Sequence, residues 1–140
     1  MDNIYREVIL DHYKNPRNFG KMQKANASYE EHNPLCGDKI IIQVKLNKND
    51  PGLSNLSNKS AFIRQNRTIS DIRFSGEGCA ISVASASMLT ELVTGKSIKD
   101  VAKITTKDIL NMLGIKLTPT RLKCALLPLE ILQRTLTLVK

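Results

Sequence analysis

Between Lys39 and Leu46 the chain sets Ile40, Ile42, Val44 and Leu46 at every second position, the period of a strand with one buried face. Thr68 to Phe74 repeats the pattern, with Ile69 as its first apolar residue and Ile72 and Phe74 on one face; Ala25 to His32 gives a weaker strand signal. Three strands close in sequence predict an antiparallel sheet. Spacings of three and four predict helices elsewhere. The first runs from Asp2 to Lys14, capped by Asp2 or Asn3, with Ile4, Tyr5, Val8, Ile9 and His12 recurring, and ends where Pro16 disfavours helical geometry at Asn15. A second spans Ala80 to Val93 with a stripe of Ile81, Ala84, Met88 and Leu92 and a stop at Gly95. Two short helices follow, Ser97 to Ile104 and Thr106 to Leu113, each with a cap in front. A last one, near Cys124 to Val139, carries Leu122, Leu126, Leu129, Leu132 and Leu136, and Pro128 makes it begin late or bend early. Asn47 to Asn66, rich in Asn, Ser and Lys around Asp50-Pro51-Gly52, reads as an exposed connection. The fold class is α+β: a small three-stranded antiparallel sheet with helices on one face, an N-terminal helix and a long C-terminal helix.

With 140 residues and neither repeat nor composition break, residues 1–140 read as one domain, large enough to bury a core without disulfides or metal. Metal bound here would therefore serve function. The odd cysteine count, the absence of a signal-like start at Met1-Asp2-Asn3 and the lack of an apolar run near the roughly 18 residues of a membrane span point to a cytoplasmic chain with reduced thiols. The formal charge of +8 raises nucleic-acid binding, but the basic residues are dispersed and aromatics make up only 4%, leaving few rings for stacking. The positive surface suits an acidic protein partner better.

The three cysteines occupy three punctuated stretches, Asn33-Pro34-Leu35-Cys36-Gly37-Asp38, Gly76-Glu77-Gly78-Cys79 and Arg121-Leu122-Lys123-Cys124. Structural cysteines usually sit among aliphatic neighbours, whereas ligating thiolates need access and mobile backbone. Cys36 falls in a strand-to-strand turn, Cys79 in a strand-to-helix turn and Cys124 at a helix start, so the topology can gather them. Three thiolates and Asp38 fill a tetrahedral metal site, and Gly37, Gly76 and Gly78 allow close approach to an inorganic centre. Zinc and iron–sulfur clusters both accept this donor set, but no Cys-x-x-Cys knuckle of a structural zinc site is present. A carboxylate in the fourth position makes the site exchangeable. His12 reads as a packing residue, and Ser82, Ser85 and Ser87 as small residues for close helix packing, with no partner histidine for a catalytic serine.

The chain resembles the NifU N-terminal/IscU/SufU family of iron–sulfur cluster assembly scaffolds, closest to the SufU-like branch. The matching blocks are Tyr5 with Val8 to Gly20, Asn33 to Asp38, Phe74, Gly78 to Ser82, Ala84 to Glu91, Gly95-Lys96 and Arg121 to Leu127. The resemblance implies an assembly scaffold and sulfur acceptor rather than an enzyme. Such a protein takes persulfide sulfur from a cysteine desulfurase, builds a transient cluster, of the 2Fe-2S kind, on Cys36, Asp38, Cys79 and Cys124, and passes it to acceptor or carrier proteins. It involves no nucleic acid and no membrane. Lys123 stands where the IscU branch has histidine, and Leu117-Thr118-Pro119-Thr120-Arg121 only loosely matches the Leu-Pro-Pro-Val-Lys stretch that IscU-type scaffolds present to a chaperone. The insertion many SufU-type chains carry between the second and third cysteines is not evident. Two other readings stand beside the scaffold: a zinc-bound sulfur-transfer partner of a desulfurase, and a basic binding module with a structural metal. The sulfur-accepting thiol is expected to be Cys124, where a helix start, Lys123 and Arg121 would favour the thiolate.

Overall fold

The computed structural model describes residues 2–34, 37–47 and 67–138, with backbone alone at residues 2 and 3. The expected connection Asn47 to Asn66 lies almost wholly outside the described residues, as do Cys36 and the side chains of the expected caps Asp2 and Asn3. The elements are α1 (Asp2–Lys14), β1 (Ala27–Asn33), β2 (Asp38–Leu46), β3 (Ile69–Glu77), α2 (Ala80–Val93), α3 (Ile98–Ala102), α4 (Thr106–Leu113) and α5 (Pro119–Thr137).

The sheet has the order β1-β2-β3, antiparallel throughout, with Asn33 paired to Asp38 at one end of the hairpin and Ile42 paired to Tyr29 and Phe74 at its middle. Ile40, Ile42, Val44 and Leu46 all face inward, with Ile69, Ile72 and Phe74 beside them. Each such side chain contributes on the order of 2 kcal/mol by leaving water, so a one-residue register slip would turn the whole β2 set outward. Helices α2 and α5 cover this face, and α1 packs on α2. Residues 18–20 shield the outer edge of β3: Phe74 N–H donates to the Asn18 carbonyl at 3.0 Å and Gly20 N–H to the Phe74 carbonyl at 2.9 Å.

Strand β3 runs to Glu77, three residues beyond the expected end. Gly76 makes this possible. Its φ of +114° and a position where a Cβ would overlap the Lys39 carbonyl both demand glycine, and the ladder continues through the Ile40–Gly76 pair. The chain is thereby carried to the turn holding Cys79.

Two expectations about helices need correction. In α2 the expected stripe of Ile81, Ala84, Met88 and Leu92 is not the buried face: Leu92 is exposed and Ile81 and Met88 half-buried, while Ser82, Ser85, Ser87, Ala84, Ala86, Leu89, Thr90 and Val93 are buried. The helix lies among α1, α5 and β3, so small residues set its spacing on several sides. Helix α5 begins at Pro119, not near Cys124: Thr118 caps it by accepting from Arg121 N–H, and Pro119 stands in the first turn, where a missing N–H costs nothing. Pro128 is accommodated inside it. In α1 only Ile9 and His12 are buried among the described side chains; Ile4, Tyr5 and Val8 are exposed.

Candidate metal centre

Asp38, Cys79 and Cys124 converge at one end of the sheet. One carboxylate oxygen and the two Sγ atoms lie within 4.8 Å of one another. Donor atoms in a tetrahedral thiolate site stand roughly 3.8 Å apart, given metal–sulfur bonds of about 2.3 Å, so a small contraction would bring these three into a shared coordination sphere. The site draws on three elements. Asp38 opens β2, Cys79 is the N-cap of α2, and Cys124 lies in the second turn of α5. Cys36, between paired residues Asn33 and Asp38, falls outside the described residues, although Gly37 N–H donates to the Asn33 carbonyl at 2.9 Å and closes the segment that holds it.

Asp38 is 1% exposed. Its Oδ1 accepts from the Cys79 N–H at 2.9 Å, while Oδ2 is buried with no hydrogen-bond partner among the described residues. A buried carboxylate oxygen left without a donor is costly, and a cation is the species that would relieve it. Two thiolate-forming sulfurs beside it make the donor set soft, which suits zinc or iron.

Burial pushes the Cys79 thiol up and the Asp38 charge acts the same way, but the nearby backbone N–H and hydroxyl of Ser82, with Cys124, hold it below the ordinary thiol value. Its place ahead of α2 adds the positive end of the helix dipole. Cys124 is wholly buried, and its Sγ donates to the Thr120 carbonyl at 3.6 Å and faces the Asn33 amide Nδ2 at 3.9 Å. The helix-dipole argument made for Cys124 thus belongs to Cys79. Arg121, one turn before Cys124, lies beside both sulfurs: Cys79 first and Cys124 second hold its guanidinium above the usual arginine range.

The glycines serve the site differently from expectation. A Cβ on Gly78 would overlap Ser82 Oγ and approach Asp38 Oδ1 to 3.1 Å, so its bare backbone makes room for the protein's own polar groups. Gly76 makes room for the Lys39 carbonyl. Of the serines, Ser82 Oγ donates to the Cys79 carbonyl at 3.1 Å and Ser85 Oγ to the Ala125 carbonyl at 2.7 Å, tying α2 to α5 next to Cys124. Ser87 does meet a histidine: its Oγ is 2.7 Å from His12 Nδ1 and accepts from Arg17 N–H at 2.8 Å. Both residues are buried, so the pair fastens α1 to α2 and offers no approach for a substrate.

Sequence reasoning missed Asn33 and Ser82 as neighbours of the sulfurs. The signal available was position: Asn33 is three residues before Cys36, and Ser82 three residues after Cys79, one helical turn away.

The NifU-like N terminal domain model matches residues 4–138. The chain is 38% identical over 128 residues to an iron-sulfur cluster assembly scaffold protein IscU of Aquifex aeolicus, covering 91% of this chain and 71% of that protein. It is 34% identical over an aligned length of 151 to a zinc-dependent sulfurtransferase SufU of Bacillus subtilis, covering 96% of this chain and 90% of that protein. Among solved structures, the Fervidobacterium islandicum protein assigned as a SUF-system cluster assembly scaffold superposes with a TM-score of 0.68 at 27% identity, covering 96% of this chain and 97% of that one. The N-terminal part of a NifU-like protein from Brucella abortus shares the fold, with a TM-score of 0.70 at 17% identity over 99% of this chain and 95% of that one. Fold, sequence blocks and family model agree, and the chain belongs to the NifU-like N-terminal domain family.

Proposed function

We propose that this chain, acting as one domain over residues 1–140, is an iron–sulfur cluster assembly scaffold. It accepts sulfur as persulfide from a cysteine desulfurase, assembles a cluster as cargo on Cys36, Asp38, Cys79 and Cys124, and releases it to acceptor or carrier proteins. The observation that carries this reading is the convergence of Asp38, Cys79 and Cys124 within 4.8 Å, with one buried Asp38 oxygen unpartnered among the described residues. The scaffold names of the IscU relatives support it. Among the described residues no helix is long and apolar enough to cross a membrane, which accords with work in the cytoplasm, where thiols stay reduced.

In the sulfur step the Cys124 thiolate attacks the outer sulfur of the desulfurase persulfide. The desulfurase cysteine leaves as thiolate, and Cys124 ends as persulfide. Arg121 beside it stabilises the attacking charge. Because Cys124 is buried, docking of the desulfurase must open the site before sulfur can reach it.

A second reading has its own support: the SufU relative, a zinc-dependent sulfurtransferase, aligns with 96% of this chain and 90% of its own length, and Lys123 precedes Cys124 as in the SufU-like branch. In it zinc is held by the same four residues and one thiolate is released to take sulfur. Anaerobic reconstitution with iron, sulfide and thiol separates the two. A scaffold acquires visible sulfur-to-iron absorption in stoichiometric yield; a dedicated zinc protein does not, and retains zinc when purified without chelator.

A further inference from the structure

Asn33 ends β1 and is 7% exposed. Its backbone serves the hairpin, accepting from Gly37 N–H and pairing with Asp38, whereas its amide Nδ2 points across to α5 and meets Cys124 Sγ at 3.9 Å. A neutral thiol is a weak acceptor for an amide donor. The placement gains its value when the sulfur carries charge, since a bond to an ionised acceptor is shorter and roughly twice as strong. At 3.9 Å the contact has room to tighten.

The other ligands follow the same pattern. Asp38 Oδ1 takes the Cys79 N–H, and the Ser82 hydroxyl donates to the Cys79 carbonyl. Neither of these donors reaches from β1. Asn33 gives Cys124 a neutral, buried and directional donor, set in the hairpin that also carries Cys36 and Asp38.

We infer that Asn33 is a positioning residue for Cys124: its amide N–H donates to Sγ, holds the side chain toward the centre and offsets the charge of the metal-bound thiolate. The inference rests on the proposed ligand set. Hydrogen bonds to ligand atoms orient them and tune the metal, and their loss typically lowers metal affinity by about 10- to 100-fold. Zinc affinity is therefore set in part from a strand that supplies no ligand of its own.

The test uses zinc alone, in competition with a chromophoric chelator, and cobalt(II) as a spectroscopic probe, on the full chain and on Asn33→Ala and Asn33→Asp. Asn33→Asp keeps the shape of the residue and its aptitude for a turn, but replaces the donor with an anion facing sulfur. Both variants should lose affinity, Asn33→Asp more than Asn33→Ala, and the sulfur-to-cobalt charge-transfer band should move to lower energy in both. If Asn33→Asp binds zinc with the parent's affinity and spectrum, Asn33 serves the turn only and the inference is overturned. Thermal melting of the metal-free variants identifies any that fail to fold, and the spectrum of the remaining one decides. If the parent itself binds neither ion, the proposed function fails, a result distinct from failure of the Asn33 assignment alone.

Discussion

Asp38 and Cys79 are joined by a hydrogen bond of 2.9 Å from the Cys79 amide to Asp38 Oδ1, so one candidate ligand fixes the backbone of the next while its second oxygen has no partner among the described residues. A role confined to turn formation would not explain that buried second oxygen. Asp38→Asn, which keeps an acceptor for the Cys79 amide but puts an NH2 or a neutral oxygen toward the centre, should lower metal content; unchanged metal content and transfer rate would remove Asp38 from the ligand set. Asp38→Cys should bind metal or cluster at least as well as the parent but release it more slowly, because a thiolate is a softer and more tightly held ligand than a carboxylate. Rates of transfer to an apo-acceptor, measured beside affinity, separate the two effects.

Sulfur loading provides a second expectation. Protein treated with desulfurase and cysteine should carry its persulfide on Cys124, read by mass spectrometry of alkylated peptides. Label confined to Cys79, the more accessible thiol at the N-cap of α2, would transfer the acceptor role there; label confined to Cys36 would transfer it to the hairpin.

Gly78→Ala should damage the centre without touching a ligand. The added Cβ would overlap Ser82 Oγ and press on Asp38 Oδ1 at 3.1 Å, disturbing the groups that support Cys79 and Asp38. Overpacking of this kind costs about 1–3 kcal/mol, and zinc affinity should fall alongside the melting temperature. Retention of the parent's affinity would mean that the turn has slack.

His12 makes stability depend on pH. Burial holds its imidazole below the ordinary value of 6.5, with repulsion from Arg17 adding to the effect and the charges of Glu91 and Asp11 opposing it. The folded chain therefore takes up this proton at a lower pH than the unfolded chain. The stabilisation is present above about pH 6.5 and is lost as pH falls through the lower folded value. Denaturant unfolding of the metal-free protein at pH 7.5 and pH 5 should show a larger loss for the parent than for His12→Gln; equal losses would assign the pH dependence to other groups.

The strands were legible because β2 alternates strictly and the sheet has one buried face. The ends were less so. Pro119 looks like a breaker in sequence, yet with Thr118 as cap it starts α5, and this difference of five residues moves Cys124 from a helix start into a second turn. The face of α2 was misread because periodicity weighs large apolar residues, whereas a helix with neighbours on several sides is defined by where small ones allow approach. The convergence of Asp38, Cys79 and Cys124 was foreseeable from the chemistry of the residues. The contacts made by Asn33 and Ser82 were signalled only by their distance of three residues from Cys36 and Cys79, too general a mark to single them out.

Because Asp38, Cys79 and Cys124 come from β2, the N-cap of α2 and α5, the centre exists only in the folded chain, and any metal or cluster held there acts as a cross-link between three elements. By mass action, free ligand at 100 times its dissociation constant adds about 2.7 kcal/mol to the folding free energy. If the chain carries a cluster as proposed, delivery of that cargo would withdraw this stabilisation. Under the proposed function, each hand-off would return the chain to its less stable form until the site is refilled.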